Sequence, residues 1–341
     1  MHTAIATVLY FAGVLSLAAQ SPILPGRVPL LDAHNCYPYE GHWADRIDRA
    51  LSTGFPVGIE QDMAWVGGRS VVAHDNKLRG GEPSLEEYFF ERVRPIVEKA
   101  LHEKDQSGWP LIVLHFDFKD NSPENLRAVW KVLGQHEDWL TTGRKTDRDD
   151  EISPLEIKPI LALTEDNDTQ EQIFYREVPV GAKLRLFGSA KVDQSFLEGL
   201  DKEQRKTALV NAAPERLVSS KPTNYRRWWN NSWYVVERGG APGAGEWTPQ
   251  TEARLQSLAG YAHRLGYWIR FYTLDGFPAD QDQGWGQGYN FGSLERARRR
   301  WQAALRNGVD LIATDQYEEL RATMRATMRA TTRAIGQGHL Q

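Results

Sequence analysis

A chain of 341 residues with 41% hydrophobic and 25% charged residues has the make-up of a water-soluble globular protein. It is long enough for one α/β barrel of roughly 250 residues plus insertions. The formal net charge of −4 argues against nucleic acid as the main partner, because a phosphate backbone demands clustered Lys and Arg.

Ala4–Ala19 is almost wholly apolar, and Ala18-Ala19-Gln20-Ser21 then leads into a Pro-containing stretch. This predicts a secretory signal over residues 1–20 and a secreted or periplasmic mature protein, although no Lys or Arg precedes the apolar run. The run is short for the ~20 residues that cross a bilayer. Cys36 is the sole cysteine, so no intrachain disulfide can form.

From Val28 the chain alternates strand-like and helix-like blocks. Val28–His34 reads as a strand, and helical spacing covers about His42–Thr53, with Gly54 as its stop. Phe55–Asp62 is a second apolar run ending in charged residues. Arg69–His74 is a short extended piece behind Gly67-Gly68, and Ser84–His102 is a helix capped by Ser84. Pro110–Phe118 is the third strand, and Ser122-Pro123 opens the next helix. Thr141–Glu151 reads as a solvated loop. Pro159–Leu163 and Lys183–Phe187 are weaker strands around a helical Asp166–Arg176. Arg216–Gly245 reads as irregular and Trp-rich, with a short strand at Trp233–Glu237. Thr251–Leu265 is an amphipathic helix, Tyr267–Leu274 a strand, Leu294–Arg306 a helix and Val309–Thr314 a last strand. The tail repeats Arg-Ala-Thr-Met with period four, so its arginines spiral around a terminal helix and form no single face.

About eight strand–helix units predict a parallel sheet closed into a TIM (β/α)8 barrel over residues 28–320, followed by a helical tail over 321–341. Catalytic groups of such barrels lie at the C-terminal ends of the strands, where His34, Glu60, Asp62 and Asp117 fall.

Glu60 and Asp62 are two residues apart on a strand, so their carboxylates project side by side. Like charges held together repel, and a shared hard cation such as Mg²⁺ or Ca²⁺ relieves them. His34 and His74 on either side would supply a proton donor and a proton acceptor. This equipment suits cleavage of a phosphodiester. Arg270 is an odd charge in the apolar run Tyr-Trp-Ile-Arg-Phe-Tyr; facing inward, it would contact phosphate or pair with an acid inside the barrel. Trp65 reads as a substrate wall or as packing, His115 shares the strand face of Asp117, and Asp75 would orient His74 or cap a turn. Cys36 has no adjacent base that would make it a nucleophile.

Ala33-His-Asn-Cys-Tyr37, Ile59-Glu-Gln-Asp62 and Val71-Val-Ala-His-Asp75 resemble the core of the phospholipase C-like phosphodiesterases. That superfamily includes glycerophosphodiester phosphodiesterases, phosphatidylinositol-specific phospholipases C and the sphingomyelinase D enzymes of spider venom. Phe116-Asp-Phe-Lys119, Tyr267–Thr273 and Gly308–Asp315 resemble later strands of the same barrel, in the same order. The resemblance spans about Leu30–Leu320 and is weakest in the middle third. It implies His34 and His74 as the acid/base pair, Glu60, Asp62 and Asp117 as metal ligands, and Lys119 as a phosphate contact. Asn35 follows His34 as in eukaryotic phosphatidylinositol-specific phospholipases C, where the Asn also binds metal. Glycerophosphodiesterases typically have His-Arg-Gly there. Asp117 replaces their Glu, as in the sphingomyelinase D enzymes.

The expectation is a metal-dependent phosphodiester hydrolase acting on glycerophosphodiesters or phospholipid head groups, with peripheral membrane contact where the diester is a lipid. Two alternatives stand beside it. One is a phospholipase D-like lyase that forms a cyclic phospholipid. The other is a non-catalytic secreted barrel that binds lipid or glycan through the Trp-rich Arg227–Trp247 segment.

Overall fold

The computed structural model describes residues 24–38, 44–74, 81–278, 280–281 and 287–338. The expected signal at 1–20 and Asp75 lie outside the described residues. No helix among the described residues is long and apolar enough to cross a membrane.

Eight parallel strands close into a barrel surrounded by helices, the (β/α)8 architecture. They are β1 (Leu30–Ala33), β2 (Val57–Val66), β3 (Ile112–Phe118), β4 (Ile160–Thr164), β5 (Phe187–Ser189), β6 (Arg226–Ser232), β7 (Trp268–Tyr272) and β8 (Leu311–Thr314). Closure comes from β1, which pairs with β8 through Leu30–Leu311 to Ala33–Thr314 and with β2 through Asp32–Gly58 and Ala33–Ile59. An antiparallel strand, Arg69–Val72, folds back on the extended end of β2. Apolar residues such as Leu31, Ile59, Leu114, Ile269 and Ile312 are fully buried in the core.

Several elements depart from the sequence pattern. The Trp-rich stretch contains a true barrel strand, β6, while Trp233–Val235 is a 3-10 turn. The strand escaped detection because Arg226, Asn230 and Ser232 break the apolar run. Trp228, Trp229 and Trp233 are fully buried, so these rings are core and offer no surface for a glycan. Lys183–Leu184 lies outside the barrel, paired with Gly143–Arg144, and β5 begins only at Phe187. Thr141 and Thr142 are buried, so the segment expected to be a solvated loop starts inside the fold.

The helix Tyr317–Gly338 runs unbroken across the expected boundary at residue 320, with Leu320, Thr323 and Met324 buried. Arg321 donates to the carbonyls of Gly54 and Pro56, and Arg325 to that of Thr53. These two arginines thus satisfy carbonyls just beyond the C-terminal end of the Arg46–Ser52 helix.

Candidate active site

Strand register builds the site in layers at the C-terminal mouth of the barrel. Asp32 on β1 lies opposite Gly58 on β2. Two residues further along β2, Glu60 faces His115 on β3, and two further Asp62 faces Asp117. Alternation along each strand keeps these side chains on one face. Apolar branched residues usually fill the layers of such a barrel; here the upper layers are polar and charged.

Glu60, Asp62 and Asp117 place carboxylate oxygens within 4.8 Å of one another. Glu60 and Asp62 are buried, whereas the Asp117 side chain is about one-third exposed toward the mouth. Both oxygens of Asp62 are buried without a hydrogen-bond partner among the described residues. Lys119 Nζ lies 2.5 Å from Asp117 Oδ2 and makes an ion-pair contact of 3.2 Å with Asp62 Oδ2. Burial pushes Asp62 well above the usual carboxylate range; Lys119 opposes this, and Asp117 and Glu60 add to it. Three close carboxylates, of which Asp62 has both oxygens unsatisfied, fit a divalent cation such as Mg²⁺ or Ca²⁺.

His34 sits just beyond β1. Its Nδ1 is 2.8 Å from Asp315 Oδ1, and its Nε2 is 3.9 Å from Glu60 Oε2. Burial would lower its pKa, but Glu60 and Asp315 outweigh burial and raise it to about 9. Asp315 is held in turn. Asp275 Oδ1 accepts from Asp315 N at 2.7 Å and from Thr314 Oγ1 at 2.6 Å, while Arg46 Nη2 lies 3.3 Å from Asp315 Oδ2. Burial and the neighbouring Asp315 raise Asp275 to about 7. The His34 ring lies near those of Tyr272 and Tyr289, at centroid distances of 6.2 and 5.6 Å.

Three further expected residues take distinct places in the structure. Asn35, expected as a metal ligand, has a left-handed backbone (φ 51°) that turns its side chain toward Asp315. Its Oδ1 accepts from Tyr37 Oη at 3.2 Å and its Nδ2 donates to both Asp315 oxygens, so it serves the histidine side of the site instead of the carboxylate cluster. Arg270, expected to face inward and either contact phosphate or pair with an acid inside the barrel, takes the second role: it is buried and committed to protein groups. It pairs with Asp32, reaches Glu60 Oε2 at 2.5 Å and donates to Asn230 Oδ1 at 3.0 Å. Trp65 lies in the hairpin opposite Ser70, and alternation puts it on the face of Gln61 and Met63, away from Glu60 and Asp62.

His74 is exposed beyond the antiparallel strand, its ring 5.8 Å from that of Tyr37. Tyr37 contacts Asn35, and Asn35 contacts His34, so the two histidines lie at the ends of one chain of contacts.

The sequence reading missed Asp315, Asp275, Glu165 and Asn230 as site residues. Asp315 carried the signal already used for Asp62, an acid closing an apolar strand. Glu165 Oε1 is 2.8 Å from His115 Nε2 and accepts from Asn230 Nδ2 at 2.8 Å. Asn230 gave no signal because its strand was not recognised.

No family model matches the chain, and no curated protein matches it. Among solved structures, a glycerophosphoryl diester phosphodiesterase from Parabacteroides distasonis is 12% identical over 88% of this chain and 87% of its own, with a TM-score of 0.42. It bears the name of one of the groups that the motifs resemble. The wild-type HPPK-DHPS protein of Plasmodium falciparum is 10% identical over 93% of this chain, with a TM-score of 0.44; this chain spans 52% of its length. Likenesses this shallow carry nothing about activity.

Proposed function

We propose that the protein is a metal-dependent phosphodiester hydrolase acting on glycerophosphodiesters or phospholipid head groups. The observation that supports this reading best is the pairing of two units at one barrel mouth: the Glu60–Asp62–Asp117 cluster with Lys119, and the His34–Asp315 dyad.

A divalent cation held by Glu60, Asp62 and Asp117 would withdraw charge from a non-bridging oxygen of the diester. Lys119, kept protonated by Asp62 and Asp117 despite burial, balances the second anionic oxygen. Asp315 fixes the Nδ1 side of His34, leaving Nε2 as the atom that handles the substrate proton. His34, whose proton Asp315 helps to hold, acts as the acid that protonates the leaving oxygen. His74, exposed and with its ring 5.8 Å from that of Tyr37, is the partner base for the attacking water.

The test is a panel of glycerophosphocholine, glycerophosphoinositol, lysophospholipids and bis-p-nitrophenyl phosphate, followed by ³¹P NMR. A phosphomonoester product lost on chelation, and lost in His34→Ala and His74→Ala, is the expected result. Wild-type rates in both variants would remove the histidines from the mechanism, and a cyclic phosphate product would make the enzyme a lyase.

A further inference from the structure

Arg270 is a fully buried cation on a barrel strand, and a buried charge is costly unless it is paired and hydrogen-bonded. Each of its three guanidinium nitrogens is engaged. Nε meets Asp32, Nη2 reaches Glu60 Oε2 at 2.5 Å, and Nη1 donates to Asn230 Oδ1 at 3.0 Å. Asp32 has room for its carboxylate only because residue 58 is glycine: a Cβ there would lie 2.3 Å from Asp32 Oδ1. Three strands therefore cooperate, β1 with the acid, β2 with the gap and β7 with the arginine, on a pair that touches Glu60 from below.

We propose that Asp32 and Arg270 are positioning residues that hold Glu60 for a divalent cation. The inference rests on the function proposed above. Asp32 fixes one edge of the guanidinium fork, and the fork fixes Glu60 by Oε2, leaving Oε1 as the ligand atom. The cation then meets a carboxylate already oriented, with no side-chain freedom left to lose. Supporting groups of this kind typically contribute 10–100-fold to metal affinity. Arginine suits the task because its planar guanidinium presents its donors to the two acids in a fixed geometry, which the freely rotating ammonium of lysine does not.

Two variants separate position from charge. Arg270→Lys keeps the charge and loses the fork, whereas Asp32→Asn keeps the shape and weakens the anchor. Mg²⁺, Mn²⁺ and Ca²⁺ are titrated calorimetrically into chelator-stripped full-length protein, with circular dichroism to show that each variant is folded. Both variants should bind the ion about tenfold more weakly than wild type, and their kcat on a diester should recover at saturating ion. Wild-type affinity in folded Arg270→Lys overturns the inference, since net charge alone would then account for the pair. If Arg270→Lys does not fold, wild-type affinity in Asp32→Asn overturns it equally. A wild-type chain that binds none of the ions overturns the proposed function and this inference together, whereas binding by wild type and variants alike overturns this inference alone.

Discussion

Asp62 and Asp117 lie directly opposite one another on β2 and β3, and Lys119 contacts both from the same mouth. Adjacent strands bring two acids level, and one ammonium shared between them does not neutralise both. Asp62 bears most of the burden, being fully buried with neither oxygen hydrogen-bonded among the described residues. A buried group of this kind reduces stability, and the proposed cation would offset that cost.

Asp62→Asn should therefore separate stability from function. In EDTA the variant is expected to melt higher than wild type, by about 1 kcal/mol of added stability. Its diesterase activity should fall by at least about 10²-fold as the ion site is lost. Thermal melts and rate assays on the same preparation check both. A variant that melts lower in EDTA would show that the Lys119 contact outweighs the burial cost.

Chelation should abolish activity and leave the fold intact. The carboxylates sit on strand ends, and one continuous hydrophobic cluster of buried residues holds the barrel together without them. Far-UV circular dichroism is expected to stay unchanged in EDTA, with activity returning on addition of Mg²⁺ or Ca²⁺.

Asp315→Asn should lower kcat by roughly 10²-fold with little change in KM, since Asp315 orients His34 and need not touch substrate. The alkaline limb of the pH–rate profile should also move to lower pH, because one of the carboxylates that raise His34 is gone. An unmoved limb would assign that limb to another group.

Stability of the chelated protein should fall between pH 6.5 and about 9. His34 has its ordinary value of 6.5 when unfolded and about 9 when folded, so the folded state binds the proton more tightly. Its contribution is complete below pH 6.5 and is lost as pH rises through about 9, with a magnitude on the order of 3 kcal/mol. Melting temperatures across this window give the slope, and His34→Gln should flatten it.

Much of this protein was legible in the sequence because it depends on local order. Alternation with period two put Glu60 and Asp62 on one face, and apolar runs ending in acids marked the mouth of the barrel. Helices such as Leu294–Arg306 carry their own periodicity and lie where it put them. The partners of the charged groups were another matter. Asp315 lies 281 residues from His34, and Asp32 lies 238 from Arg270; only barrel closure, with β1 paired to β8, brings them together. β6 stayed hidden because its polar residues face a polar interior, which no apolar count anticipates. The sequence by itself determined a barrel with carboxylates at its mouth. Tertiary structure decided which acid orients His34, that Asn35 turns toward that acid, and that Arg270 is held by protein acids, since these are contacts between strands remote in the chain.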